Sequence, residues 1–104
     1  MEISKEDWKL FRERIGEWQE RHMEQLNKEY ISLLSTNKPA SVKFWELEER
    51  IRKDIKTPGV QLELRKSEVG WDLARLINDK VIDFPDLEGF STELIEVVRY
   101  YVDR

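Results

Sequence analysis

One apolar stripe constrains this chain more than any other feature. Trp8, Phe11, Ile15, Trp18, His22, Leu26, Tyr30 and Leu33 recur every three or four residues. That spacing aligns them on one face of an α-helix, and charged side chains occupy most of the other positions. The stretch contains no proline and a single glycine, Gly16. It predicts one helix from Ser4 to Leu34, about 45 Å long at about 1.5 Å per residue. A compact domain of this size has a radius of gyration of about 13 Å. The helix therefore overhangs its own domain, kinks, or meets a partner. Ser4 is a good N-cap, and Glu6 and Asp7 suit the positive end of the helix dipole. Gly16 flanks the stripe, where it marks a bend or lets a second helix approach closely.

The rest of the chain reads as shorter helices. Ser35 to Ala40 is a polar loop. Ser41 then caps a second helix, Val42 to Ile55, whose apolar face is Phe44, Leu47, Ile51 and Ile55, with Trp45 beside it. The short loop predicts an antiparallel hairpin of the first two helices. Thr57-Pro58-Gly59 is a break, and Pro58 suits the first turn of a third helix running to Asn78 with Thr57 as cap. That helix carries two apolar faces, one with Val60, Leu64, Trp71 and Ala74, the other with Leu62, Val69, Leu73 and Leu76. A break near Ser67 to Gly70 would divide it. Asp83 caps a helical turn ending at Gly89. Ser91 caps the last helix, Thr92 to Val102. The expected fold is all-α, a single domain of four to five helices bundled around the long N-terminal one.

Composition narrows the function classes. With 104 residues and no cysteine, there is no disulfide, thiolate nucleophile or zinc–thiolate site, which fits a reducing cytoplasm. The longest apolar run is Tyr100-Tyr101-Val102, far short of the roughly 20 residues that span a membrane. The polar, acidic start of the chain does not resemble a signal peptide. A net charge of −4 disfavours non-specific binding to nucleic acid or anionic lipid. The charge is uneven. Residues 36–67 hold eight basic and five acidic side chains, whereas residues 68–104 hold four and nine. Local ion pairs on helix surfaces account for most of this, although the basic middle can also attract the acidic end, within one chain or across a dimer.

Chemistry-bearing constellations are scarce. His22 is the only histidine, and positions three and four away hold Trp18, Gln19, Gln25 and Leu26, so no carboxylate orients it from its own helix. It reads as a packed or interface residue. No histidine pair, calcium loop, glycine-rich phosphate loop or nucleophile elbow is present. No catalytic residue, metal or cofactor is expected. The aromatic stripe suits either a core or a binding hot spot, and in a small helical dimer the two coincide. The candidate interface is Trp8, Phe11, Ile15 and Trp18 on the first helix and Leu62, Val69, Leu73 and Leu76 on the third.

The expected function is a non-enzymatic, cytoplasmic module that works by protein–protein contact, as a homodimer or with another protein. The alternative is a small nucleic-acid-associated regulator using the basic segment 43–66. There the second helix, the turn and the third helix mimic a helix-turn-helix, with Lys43, Arg50, Lys53, Arg65 and Lys66 as contacts. Interleaved acids, among them Glu46, Glu48, Glu49 and Glu63, count against it.

Three segments carry a resemblance: Asp7-Trp8-Lys9-Leu10-Phe11-Arg12-Glu13-Arg14-Ile15, Phe44-Trp45-Glu46-Leu47-Glu48-Glu49-Arg50-Ile51 and Pro58-Gly59-Val60-Gln61. Together they resemble a group of short uncharacterised bacterial proteins, some labelled automatically as multidrug transporters. The resemblance implies an all-helical chain and brings no catalytic or binding residue with it. The transporter label conflicts with a sequence that has no spanning segment.

Overall fold

A computed structural model describes residues 2–103. Four α-helices, α1 (Lys5–Leu34), α2 (Ala40–Ile55), α3 (Val69–Asn78) and α4 (Thr92–Val102), are joined by loops and by 3₁₀ turns at Lys66–Glu68 and Phe84–Leu87. Among the described residues there is no strand.

α1 is unbroken through Gly16. Its first turn is capped by Ser4, whose hydroxyl oxygen accepts the Asp7 N–H at 3.1 Å. Asp7 is itself buried and serves a second helix. Its carboxylate accepts the Ser91 N–H at 2.9 Å and the Ser91 hydroxyl at 2.5 Å. Ser91 in turn caps α4 by accepting the Leu94 N–H. One carboxylate thus pins the starts of α1 and α4 together, through charge-assisted bonds stronger than neutral ones.

The core lies beside the N-terminal half of α1. Phe11, Ile15 and Trp18 meet Val69, Leu73 and Leu76 of α3, Leu94 and Val98 of α4, and Val81, Ile82 and Leu87 from the connector between them. α3 ends in a Schellman motif. Lys80 takes a positive φ of 61°, and the N–H groups of Val81 and Lys80 return to the carbonyls of Leu76 and Ile77. That reversal turns Val81 and Ile82 into the core. The following 3₁₀ turn carries a full capping box between Asp83 and Asp86 and is held to α1 by Arg14. The Arg14 guanidinium donates to the carbonyls of Asp86 and Glu88 and lies over the Phe90 ring. Gly89, with φ of 99°, closes the turn in a conformation that disfavours a side chain.

Two expected boundaries are corrected. α2 starts at Ala40 with Pro39 as its cap residue, rather than at Val42 behind Ser41. The Pro39 carbonyl accepts the Lys43 N–H, and proline fixes φ at the helix entry. The third helix does not begin at Pro58. Residues 61–65 have no regular structure, and α3 begins at Val69. The reason is local: the Thr57 hydroxyl donates back to the Asp54 carbonyl, closing α2 instead of capping a new helix. Val60 and Leu64 therefore share no helix face with Trp71 and Ala74. Trp71 is half exposed and meets Tyr101 edge-on at 5.3 Å, while Ala74 is buried.

The molecule measures 52 × 27 × 22 Å, with a radius of gyration of 16.3 Å. This exceeds the ~13 Å of a compact domain of similar length. The excess is the C-terminal half of α1 and the helix beside it. Of the three outcomes open to so long a helix, α1 overhangs the body and remains one continuous helix.

Candidate interaction surface

The overhang is a two-helix arm. α2 returns along α1, with contacts in reversed order. Lys43 donates to the Leu34 carbonyl, Arg50 pairs with Glu29, the Tyr30 hydroxyl donates to Asp54, and Gln19 donates to the Pro58 carbonyl. The Tyr30–Asp54 bond is 2.5 Å long. Burial and the adjacent carboxylate push the Tyr30 pKa up to about 12.

The arm is held at its root by Gly59. Pro58 and Gly59 are both buried. A Cβ placed on Gly59 would meet the His22 ring and would lie 2.7 Å from the Val81 side chain. The missing side chain lets the turn wedge between α1 and the body. We expect Gly59→Ala to cost about 1–2 kcal/mol through overpacking. Urea denaturation monitored by circular dichroism would show it as a lower midpoint with unchanged slope. An unaltered midpoint would mean that His22 and Val81 yield freely. His22 thus packs against its own chain at this root.

No residue of α2 is buried. The half-buried residues of α2 are Lys43, Glu46, Leu47, Glu48, Arg50 and Asp54, and of these Lys43, Arg50 and Asp54 bond to α1. Of the stripe expected to form its apolar face, Leu47 is half-buried and the other three residues are exposed. Phe44 is 62% exposed, Ile55 44% and Ile51 37%. On α1, Met23 and Tyr30 share a groove with Ile51 and Ile55, and Leu34 is exposed. An open groove of roughly 220 Å³, lined by Met23, Leu26, Tyr30, Ile51 and Ile55 among others, joins the two stripes. Ile31 and Trp45, at 64% and 63% exposure, stand on the outer rims. Single exposed apolar residues are ordinary, whereas this set lies on two adjacent helices.

The interface expected from the sequence lies elsewhere. Phe11, Ile15, Trp18, Val69, Leu73 and Leu76 are buried within this one chain, and Trp8 and Leu62 pack against that core half-buried. The two proposed halves of the interface face each other, so neither is open to a second molecule. The exposed residues Phe44, Ile51 and Ile55 were visible as the apolar face of the second helix. Only their lack of cover was hidden.

The expected nucleic-acid contacts are largely engaged. Lys43 binds the carbonyls of Leu34 and Thr36, and Arg50 pairs with Glu29 and Asp54. Lys53 pairs with Glu49 and Arg65 with Glu63, while Lys66 lines a shallow groove with Glu2, Ile3 and Ser67. The helix-turn-helix reading is overturned, because residues 61–65 form no recognition helix.

Asp72 is the unusual titratable group of the body. It is 4% exposed, and its Oδ2 has no hydrogen-bond partner. Burial raises its pKa to about 6 despite Arg75 at 3.7 Å. Glu68 adds to the rise, and Arg75 opposes it. Among the described residues no three His, Asp or Glu side chains gather as a metal site, and no helix is long and apolar enough to cross a membrane. Comparison with protein-family models, curated proteins and solved structures finds no match.

Proposed function

We propose that this protein is a non-enzymatic, cytoplasmic interaction module that docks a protein partner on the exposed face of its α1–α2 arm. One observation carries the reading: a 16-residue helix with no buried residue holds its apolar stripe in water beside a second half-covered stripe. Isolated helices of this length are marginal, so α2 depends on the seam and on ion pairs such as Arg52–Glu48 and Lys53–Glu49. Leaving Phe44, Ile51 and Ile55 uncovered forgoes burial worth about 1.5–3 kcal/mol for each fully buried side chain. A partner that covers the face recovers that energy, and the aromatic pair Phe44–Trp45, 5.1 Å apart, supplies the type of anchor that dominates binding.

Site-directed photo-cross-linking tests this. A benzophenone amino acid at Phe44 or Trp45 is expected to capture protein in a lysate of the native cells. The same probe at exposed Glu96 on the body should not. Adding Ile51→Glu should abolish capture from the arm. Equal capture from arm and body, or none from the arm, would dismiss the reading.

A further inference from the structure

We infer that the occupant of the arm face is the same face of a second copy of this chain, related by a two-fold axis running along the arm. The inference rests on the reading of the arm as a docking surface. Two two-helix layers stacked in this way make a four-helix bundle, and every apolar stripe of the arm becomes internal.

Three features favour a second copy. The first is charge. At about 100° per residue, Glu20 and Glu24 fall on the outer rim of the α1 half of the face, and Lys56 and Arg52, the latter also paired with Glu48 one turn before it, on the outer rim of the α2 half. The contact order places both pairs near the body end of the arm, since Gln19 meets Pro58 and Tyr30 meets Asp54. Rotation about the arm axis brings the acidic rim of each copy against the basic rim of the other, twice. The same operation brings exposed Ile31 near exposed Trp45 at the distal end. A surface complementary to itself in this way specifies its own copy, and its rims set the register.

The second feature is size. Two helices about 24 Å long and about 10 Å apart present on the order of 500 Å² in projection, and protruding side chains raise the accessible area towards the roughly 800 Å² per partner of a stable interface. The third is clearance. Phe11, Ile15 and Trp18, on which the body packs, lie roughly 130° round α1 from Met23, Asn27 and Leu34. On the open side, a Cβ at Gly16 would meet nothing within 4 Å. The body therefore projects away from the incoming copy.

Light scattering after size exclusion, over a tenfold concentration range, reads the outcome directly. The wild-type chain should elute at twice 12.6 kDa. A chain with Glu20→Lys and Glu24→Lys, and one with Arg52→Glu and Lys56→Glu, should each fall to half that mass with helicity intact. Mixed in equal amounts, the two should return to the dimer mass, because each mixed pair restores opposite charges at both rims. Ile51→Glu, at a partly exposed position, should give monomer with no rescue by either. A wild-type dimer untouched by all three variants overturns the inference, as does failure of the mixture to recover. A monomer at every concentration, with the Phe44 probe captured by a different protein, overturns the second copy and leaves the docking reading standing. A monomer with no capture from the arm overturns both.

Discussion

Leu73→Ala is expected to cost about 3–4 kcal/mol, a large share of the roughly 5–15 kcal/mol that holds a small domain together. Leu73 has no exposed surface and lies between α1 and α4 at the centre of the body core. Truncation removes its transfer energy and leaves a cavity that three helices close only in part. Chemical denaturation should show the loss at every protein concentration. Phe44→Ala offers the contrast. Its side chain is mostly in water within the chain, so any loss should arise through association and vanish on dilution. A concentration-independent loss at Phe44 as large as that at Leu73 would mean that the arm is part of the folding core.

Asp72→Asn is expected to stabilise the protein above pH 6 and to make little difference near pH 4. The folded-state pKa of about 6 lies above the ordinary 3.8 because burial disfavours the charged carboxylate. A raised pKa on an acid means that the fold binds the proton more tightly than the unfolded chain does. The penalty is absent below about pH 4, grows between about 4 and 6, and is full above that. At about 1.4 kcal/mol per pKa unit it reaches on the order of 2–3 kcal/mol. Asparagine keeps the shape and removes the charge, at the loss of the weak contact to Arg75. Thermal unfolding of both proteins at pH 4, 6 and 8 checks this. A Tm difference that is the same at all three values would show that ionisation of Asp72 is not the cause.

Helix existence was legible where one segment carried its own signals. Ser4 with Asp7, and Ser91 with Thr92 to Val102, mark caps whose acceptors and donors are three residues apart, so local sequence suffices. The stretch from Pro58 to Arg65 misled because Thr57 has two possible uses, and only the folded chain shows its hydroxyl committed to Asp54. Asp72 was unremarkable in sequence. Its burial depends on how α3 packs, and Val69, Leu73 and Leu76 of the same helix are buried with it.

The candidate surface follows the same division. By itself, the sequence determined that the N-terminal stretch is helical, with a bend at Gly16 left open, that α2 is amphipathic, and that no disulfide is available. These properties depend on spacing and residue type within a few turns. Only the tertiary structure decided which apolar stripes are used up. The stripe of α1 continues unchanged from Phe11 to Leu33, yet its first half is covered by α3 and α4 and its second by α2 and the turn that follows it. Periodicity reports that a face is apolar. Whether that face meets its own chain or remains exposed depends on where distant segments return, and here α3 and α4 are too short and too firmly anchored at Asp7 and Arg14 to reach the arm.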